Sequence, residues 1–560
     1  MKWRLILLAS FLFRLGYGLS ADFWTEDERQ VFLIGLRSYA RGEWPFFGAD
    51  VVWTHSQVPG ALLGLLVGLP FRIWAIPEAP VVILNVLSFA ALCLFGWYVE
   101  HHATRLPRWL IWGWLFTAPW TLNFSTHVVN PSYVLPGAIV FFVGFFEAIP
   151  ALGKRLIHPM LAFAMMGFAL CWLVQVHLSW VLLPPFAIVA FILAVRSDPG
   201  KALRLLMAFA LGCLPSGSLL IPTIIKYGPA ALAVGSNAEF HVLGLSTALT
   251  ILARFLSFPS FELNRFLGLD TAGRLAFLSA NPWLVLPALL LGVIGFVQPV
   301  ALAWLWFSRR EGSDWKTIKV IAVATFAWIY LSFFFSVRGP LAHSYYVTLP
   351  VAMLYSFYCW DTLVARAGAR RAWRPIVAAT LALGVLFHFG QSAGRAGGRS
   401  LYVNRPLVQL AVSTPDDRLL GNRRTDAGPP WRADVPPEAR QARDRFLAAQ
   451  PQSDLEIVDA AWSKAVFGRV SSFRLSLRNG GDLAAYLDLQ LATSYVDGSG
   501  AIVRAGTVVL KQILQPGERR TWDQVVDGLA APGAVDGRLR VLTAEKCVPA
   551  RLAGVGVPTQ

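Results

Sequence analysis

The chain has 560 residues, of which 56% are hydrophobic and 15% are charged, and it contains 22 Trp and 38 Phe. Its mean hydropathy of +0.53 excludes an ordinary soluble globular protein and indicates repeated membrane-spanning segments. The formal charge of +16 does not indicate nucleic-acid binding, because Lys and Arg are divided among short loops between apolar segments.

Apolar runs predict twelve membrane segments in chain order. They lie at 3–20, 58–76, 79–99, 108–123, 131–152, 158–175, 178–195, 203–226, 283–307, 319–338, 343–363 and 374–391. We expect the first segment to be retained in the protein, because Arg14 interrupts its apolar run and "GLSAD" is a poor cleavage site.

Lys and Arg predict the orientation of these segments. They concentrate in the short loops 100–108, 153–157, 196–204, 308–319 and 366–374. The positive-inside rule places these loops and the N-terminus in the cytoplasm. The first loop 21–57, a second large loop 226–282 and the chain after 391 then lie outside. The alternation predicts that one of the segments 58–76 and 79–99 does not cross, for which we favour the Pro-flanked 58–76, and eleven crossings then remain. A further crossing elsewhere in the chain is the alternative.

The composition changes after residue 391. Residues 392–452 are rich in Arg, Pro, Asp and Gly, which predicts a linker with one short helix near 436–449. Residues 453–560 contain alternating stretches such as "SSFRLSLRNGG" and "YLDLQLATSYVDGSG", with NGG and DGSG as hairpin-type turns. The predicted fold is therefore a polytopic α-helical membrane domain (1–391, about 11–12 segments), followed by a linker and a small antiparallel β-sandwich. We expect no catalysis in the sandwich, because its His, Cys and acidic residues form no recognisable catalytic cluster.

The acidic residues of the membrane domain are concentrated in the first loop. Six of the sixteen Asp and Glu residues before position 391 lie between 22 and 50. Within this stretch Val31, Ile34, Leu36 and Tyr39 recur at helical spacing, which predicts a surface helix. Asp27 and Glu28 would lie at its N-terminus, where the helix dipole favours carboxylates. The residues alone leave open whether these acids cap the helix or take part in catalysis.

The first loop also carries a recognisable order of motifs. It contains Asp27-Glu28, Ala40-Arg41, Gly42-Glu43-Trp44-Pro45, and then His55 with Pro59. This pattern resembles that of the GT-C glycosyltransferases, the polytopic enzymes with polyprenyl-phosphate sugar donors that include protein mannosyltransferases and lipid A aminoarabinose transferases. The resemblance covers residues 1–60 at the level of motifs and extends to 391 at the level of architecture.

The resemblance implies a catalytic role for the acidic pair. Asp27 would be the general base that deprotonates the acceptor hydroxyl, which attacks the anomeric carbon with inversion and expels polyprenyl phosphate. Glu28 would support Asp27 or cap the helix. The family often has a second acid before a Pro, but this chain has Asn130-Pro131. Asn130 would then orient the acceptor, and His127 would be the alternative second base.

Further candidate substrate-binding residues lie on the predicted outer face. His55, His177 and His343 all fall there, and "QVHLSW", with Gln175 and His177, resembles bacterial GT-C members. The stretch "RGPLAHSYY" provides Arg338, His343 and Tyr345, which suit a lipid-linked phosphate at the membrane surface. The alternative is a snorkelling Arg beside an ordinary aromatic belt.

Cofactor use is left open by the sequence. Glu43, Asp50, His55 and His241 provide oxygen and nitrogen ligands in the outer loops, but they have no compact metal-binding spacing. Some GT-C enzymes use a divalent metal and others do not, so the resemblance implies neither.

The sequence therefore favours an integral membrane glycosyltransferase of a bacterial inner membrane, with the C-terminal domain on the outer side. Its partners would be a polyprenyl-phosphate sugar, a lipid, glycan or protein acceptor, and membrane lipids. One alternative is an O-antigen-type polymerase or ligase, which would not require acids directly after the first helix. The other is a lipid or sugar transporter, which would require ionisable residues at mid-membrane depth, and Glu147 is the main candidate for such a residue.

Overall fold

A computed structural model describes most of the chain. The described residues are 2–21, 26–51, 56–103, 105–149, 153–228, 240, 242–268, 271–307, 313–336, 339–367, 373–395, 401–413, 415, 448–463, 472–510, 513–525 and 533–547. They form two compact units. The membrane unit comprises 1–23, 44–74 and 78–403, and the second unit comprises 24–43, 75–77 and 404–560.

The membrane unit is helical apart from one strand pair. Its elements are α1 (Lys2–Ala21), β1 (Phe47–Val51), β2 (Ser56–Pro59), α3 (Leu62–Ile73), α4 (Ala79–His102), α5 (Arg108–Thr117), α6 (Pro119–Thr126), α7 (Val134–Ala148), α8 (Pro159–Val174), α9 (Pro184–Ser197), α10 (Ala202–Gly217), α11 (Ile221–Tyr227), α12 (Leu245–Ser257), α13 (Asn264–Leu267), α14 (Thr271–Ala280), α15 (Val285–Trp306), α16 (Ser313–Ser332), α17 (Leu349–Ala367) and α18 (Trp373–Arg395). Short 3-10 helices at Asn130–Tyr133, Leu178–Leu182 and Ala342–Thr348 precede α7, α9 and α17.

The protein is an integral membrane protein, as its composition predicts. Nine helices of the described part are long and apolar enough to cross a membrane. The broken pair α5–α6 and the 16-residue α8 correspond to two further predicted segments, 108–123 and 158–175. The number of eleven crossings stays a prediction.

Helix α3 is short for a membrane crossing. Its 12 residues span about 18 Å, which is less than the roughly 30 Å hydrocarbon core, and Pro70 lies inside it. Gly60, just before α3, packs on Gln175 at the end of α8. Asn85 of α4 donates to the carbonyl of Thr126 (3.1 Å). That 58–76 does not cross the membrane stays a prediction.

Two close contacts explain how the helices are fixed in place. Gly167 of α8 and Gly212 of α10 face each other's backbones, so that a methyl group on either would overlap a carbonyl oxygen of the other helix.

Arg14 of α1 is 1% exposed and lies beside the break between α5 and α6. Its guanidinium donates to the carbonyls of Phe116 and Thr121 (2.7 Å each) and to Ser125 Oγ. The "FRLGYG" stretch thus has a structural role at the kink.

The second unit contains the helix of the first loop and the β-sandwich. Its elements are α2 (Glu26–Arg41), α19 (Leu401–Ser413), a helical turn Pro451–Asp454, and strands β3 (Leu455–Ser463), β4 (Ser472–Asn479), β5 (Ala485–Val496), β6 (Ile502–Leu510), β7 (Arg519–Val525) and β8 (Asp536–Cys547). Helix α19 lies within the stretch predicted as a linker, and α18 continues beyond 391 to Arg395. The helix expected near 436–449 falls almost entirely outside the described residues.

The predicted sandwich is confirmed, with one correction to its turns. Two antiparallel sheets, ordered β3-β4-β7 and β6-β5-β8, share a core that includes Phe473, Leu475, Leu491 and Tyr495. DGSG joins the adjacent strands β5 and β6, and the Asp497 carboxylate accepts the N–H of Ser499 (2.8 Å). The interpretation of NGG as a hairpin turn is wrong, because it joins β4 to β5 in the other sheet. The strands β3 and β7 were not predicted from the sequence.

Candidate functional site

The acidic pair lies at the start of α2, as the sequence predicts. Asp27 is exposed and Glu28 is half-buried, and they are the second and third residues of the helix. Four backbone N–H groups at a helix start lack partners within the helix, and the dipole favours negative charge there. Both carboxylates are therefore held in a position that stabilises their ionised form. Of the predicted apolar stripe, Val31 and Leu36 are buried.

The next residue, Arg29, was not predicted to matter. Its side chain is only 5% exposed, and its two terminal guanidinium nitrogens have no hydrogen-bond partner among the described residues. A buried cation without partners is costly, so this position is suited to an anionic group that the chain itself does not supply. The sequence contains a pattern that could have predicted this burial. Arg29 precedes Phe32, Leu33 and Leu36 at helical spacing and thus shares their buried face.

Two of the predicted histidines meet in the membrane unit. The rings of His177 and His343 have centroids 6.3 Å apart and are nearly perpendicular. They are supplied by the 3-10 segments Leu178–Leu182 and Ala342–Thr348, which pack against each other. Residues more than 160 positions apart in the chain are thus brought together at the predicted outer end.

The protonation of His177 follows from its contacts. Its Nδ1 accepts a hydrogen bond from the backbone N–H of Ser179 (3.1 Å) and lies 2.9 Å from the Ser179 hydroxyl. The neutral ring therefore carries its proton on Nε2. Burial lowers the pKa of His177 to about 4. At neutral pH His177 is thus an uncharged N–H donor that can bind an oxygen atom of a substrate.

Gln175 packs beneath the end of the first loop. It is fully buried, and its amide nitrogen donates to the carbonyls of Ser216 (2.7 Å) and Cys171 (3.0 Å). Its side chain lies directly against Gly60, which follows β2. Nearby, the ammonium group of Lys226 lies 4.2 Å from the ring centroid of Phe46, and Thr223 Oγ1 donates to the Phe46 carbonyl (2.8 Å).

His127 and Asn130 flank the same predicted outer end. His127 Nδ1 donates to the carbonyl of Asn123 (2.8 Å), and its ring packs against Tyr17 with centroids 5.6 Å apart. Burial lowers the pKa of His127 to about 4, which makes it a poor general base at neutral pH. Asn130 begins the 3-10 helix Asn130–Tyr133 and is half-buried.

Tyr345 lies in the packed interior rather than in an aromatic belt. It is 1% exposed, and its ring contacts the rings of Phe258 (5.7 Å) and Phe333 (6.1 Å). Its neighbour Tyr346 is also buried and donates to the carbonyl of Trp120 (3.0 Å). The 3-10 helix turns both rings into the bundle, so neither belongs to a lipid-facing aromatic belt.

The remaining sequence predictions are not located by the structure. His55, Arg338, His241 and the side chain of Asp50 lie outside the described residues. Within the described ranges, no three His, Cys, Asp or Glu side chains come together as metal ligands. Metal dependence therefore stays open.

The polar network around Tyr17 was also missed by sequence reasoning. Tyr17 OH lies 2.9 Å from Asn123 Oδ1 and 3.1 Å from Gln391 Oε1. The His388 ring packs edge-on against the Tyr17 ring, with centroids 5.5 Å apart, and its Nε2 donates to the carbonyl of Thr117 (3.1 Å). These residues come from α1, α6 and α18, so only the folded bundle brings them together. They tie the outer ends of three passes to one another.

Comparisons with known proteins gave one structural similarity to report. A crystal structure of ArnT from Cupriavidus metallidurans bound to undecaprenyl phosphate is similar to this chain, with 12% sequence identity and a TM-score of 0.43, over 78% of this chain and 82% of that chain. No family model matches the sequence, and no curated protein is similar to it.

Proposed function

We propose that the protein is a membrane glycosyltransferase. It would transfer a sugar from a polyprenyl-phosphate donor to a hydroxyl group of a lipid, glycan or protein acceptor, at the outer face of a bacterial inner membrane. The observation that carries this proposal is the start of α2, which follows the first membrane pass in the sequence. Asp27 is exposed, Glu28 is half-buried, and Arg29 is buried, with no hydrogen-bond partner for its two terminal nitrogens among the described residues.

These three residues match the chemical needs of the reaction. A sugar hydroxyl is a weak nucleophile unless a carboxylate removes its proton in the transition state. Asp27 is exposed and held ionised by its helix position, so it is the residue assigned as the base. The new bond forms between the acceptor oxygen and the anomeric carbon, while the bond from that carbon to the phosphate oxygen breaks. The product polyprenyl phosphate leaves with additional negative charge.

Arg29 meets the second need, which is to bind that phosphate. A guanidinium can hold phosphate oxygens through two parallel hydrogen bonds, and here both terminal nitrogens are available for them. Burial strengthens such a contact, because fewer water molecules compete for the charge. The donor phosphate would thus supply the anion that the described protein residues do not.

The histidine pair provides further proposed contacts with substrate. His177 offers a neutral N–H donor, and His343 lies beside it. Asn130 offers an amide that binds a hydroxyl but cannot remove a proton. We assign these residues to orientation of donor or acceptor oxygens, and we assign no proton transfer to them.

The transporter alternative loses its main support. Glu147 lies in the last turn of α7, and its Oε2 accepts the N–H groups of Leu156 and Ile157 (2.7 Å each). Its other oxygen lies 3.6 Å from His102 Nε2. A carboxylate engaged by a loop and a histidine at a helix end has a structural role and is not a mid-membrane relay.

Two measurements test the proposal. Purified protein in detergent should release polyprenyl phosphate from a lipid-linked sugar only when an acceptor is present, and the sugar should appear on that acceptor. A strain that lacks the gene should lose one glycosylated lipid, glycan or protein while accumulating the unglycosylated acceptor. Unchanged glycoconjugates together with no transfer activity would contradict the proposal.

A further inference from the structure

The end of the first-loop strand pair is held by one close contact. Gly60 follows β2 and has a φ of +105°, a conformation that favours glycine. A methyl group at this position would lie 2.5 Å from Gln175 Oε1 and 2.8 Å from Gln175 Cδ. The backbone of the loop and the side chain of Gln175 are therefore in direct contact, with no room for a side chain between them.

Gln175 is itself held rigidly on the helical side. Both hydrogens of its amide nitrogen are used, one by Ser216 of α10 and one by Cys171 of α8. Its remaining oxygen is buried against Gly60 and has no hydrogen-bond partner among the described residues. The α8–α10 pair beneath it is locked by the close approach of Gly167 and Gly212.

A second contact holds the β1 strand at the same end of the strand pair. The Phe46 carbonyl, just before β1, accepts hydrogen bonds from the Gly60 N–H (2.9 Å) and from Thr223 Oγ1 (2.8 Å). Thr223 is fully buried in α11. The start of β1 and the end of β2 thus meet at Phe46 and Gly60 and are fastened to neighbouring helices. Residues 52–55, which include His55, lie between the two strands in the sequence and outside the described residues.

We propose that Gly60 and Gln175 form a latch that sets the position of the first-loop strand pair on the α8–α10 platform. Gln175 is then a positioning residue and not a substrate contact, because its amide nitrogen donates to two carbonyls and its side chain is packed against the backbone of Gly60. The effect on transfer depends on the proposed function, whereas the effect on the loop does not.

Amide hydrogen exchange of the full-length protein in detergent tests the latch without any substrate. Gln175→Ala removes the contact and should speed exchange of the peptide spanning 44–60 by about tenfold, which corresponds to a modest loss of local stability, while α8 and α10 stay protected. Gly60→Ala should have at least as large an effect, because it adds backbone strain to the clash. Gly292→Ala is the matched control, since a methyl group there meets nothing within 4 Å.

The double variant and the kinetics complete the test. If the two residues form one contact, Gly60→Ala combined with Gln175→Ala should change exchange less than the sum of the single effects. Where transfer is measurable, Gln175→Ala should lower kcat more than it raises either KM. Unchanged exchange of 44–60 in Gln175→Ala, with a raised KM, would overturn the latch and return Gln175 to substrate binding. Fully additive effects would overturn it as well. If no transfer activity is found, the hydrogen-exchange results alone still test the contact between Gly60 and Gln175.

Discussion

Arg29 is the residue at which the structure departs most from sequence-based expectation. An arginine beside two carboxylates on a surface helix would ordinarily be a solvated ion pair of little energetic value. Here the side chain is buried, and its terminal nitrogens have no hydrogen-bond partner within the described residues. That combination indicates a ligand with negative charge.

Arg29→Gln should therefore weaken donor binding specifically. Hydrogen bonds to charged groups contribute about 1.5–3 kcal/mol, so the KM for the lipid-linked donor should rise by roughly 10- to 150-fold. Inhibition by the product polyprenyl phosphate should weaken in parallel. Arg41→Gln, at the exposed end of the same helix, is the control and should change neither value. An unchanged donor KM with a lower yield of folded protein would show that Arg29 is structural.

The buried histidines predict a particular dependence of stability on pH. Burial lowers the pKa of His127 and of His177 to about 4, below the ordinary value of roughly 6.5 in an unfolded chain. The unfolded state therefore takes up protons first as the pH falls. Stability is full above pH 6.5 and declines toward pH 4, by about 2 kcal/mol per histidine at pH 5.

Thermal unfolding in detergent at pH 7.5 and pH 5 checks this expectation. His177→Asn keeps an acceptor for the Ser179 N–H but cannot titrate, so the fall in midpoint between the two pH values should become smaller. His158→Asn replaces an exposed histidine and should leave the fall unchanged. An identical fall in wild type and His177→Asn would refute the role of burial.

At the residue scale, the sequence predicted where candidate site residues lie in the elements better than it predicted which residues pack around them. The order of motifs placed Asp27 and Glu28 at a helix start, and loop charges placed His177 and His343 on one face, because both inferences depend on local pattern. The burial of Arg29 and Tyr345 depends on what the rest of the chain packs around them. Tyr17, Asn123 and the pair His388 and Gln391 belong to three stretches with no shared motif, so their network could not be predicted from the sequence.

Among the elements, the kink between α5 and α6 depends most on one side chain. Pro119 has no N–H, so carbonyls of the preceding turn lose their helical partners, and unpaired backbone groups are costly inside a membrane. The Leu115 carbonyl, for which Pro119 has no N–H, accepts from Thr121 Oγ1 (2.7 Å). Arg14 donates to the carbonyls of Phe116 and Thr121, on either side of the break.

Arg14→Met keeps the length of the side chain but removes all its donors. We expect a loss of about 2–4 kcal/mol, seen as a lower thermal midpoint and less monomer in size-exclusion chromatography. Arg4→Met, on the exposed part of the same helix, should behave like wild type. A stable Arg14→Met protein with full recovery would show that the kink does not need the guanidinium.

The helices and strands were predictable to different degrees. Long apolar runs predicted the membrane-spanning helices, because hydropathy alone identifies such helices. The alternation of basic loops predicts that 58–76 does not cross, and the helix α3 within it has only 12 residues. The strands β3 and β7 were missed because exposed or charged residues interrupt their alternation, as in "LEIVDAAWS" and "RRTWDQV". NGG resembled a hairpin turn because local sequence does not distinguish a turn within one sheet from a crossing between two.

For the whole molecule, orientation in the membrane is the first quantity to measure. Every short loop rich in Lys and Arg falls on one side if the N-terminus is cytoplasmic, and this places residue 200 inside and residue 450 outside. Fusions of a periplasm-dependent and a cytoplasm-dependent reporter at these two positions should give opposite results. The same compartment for both fusions would overturn the orientation and, with it, the outer location of the first loop.

The central claim is that Asp27 is the base of a glycosyl transfer, and one substitution tests it most directly. Asp27→Asn keeps the size and hydrogen bonding of the side chain but cannot accept a proton. The rate of transfer from a polyprenyl-phosphate sugar should fall by about two to four orders of magnitude, while folded yield and donor binding stay as in wild type. Glu28→Gln should be milder, and Asp22→Asn, nearer the membrane pass, should be close to neutral. Wild-type turnover by Asp27→Asn would contradict the assignment, and full activity in all three variants would contradict the catalytic role of the first loop.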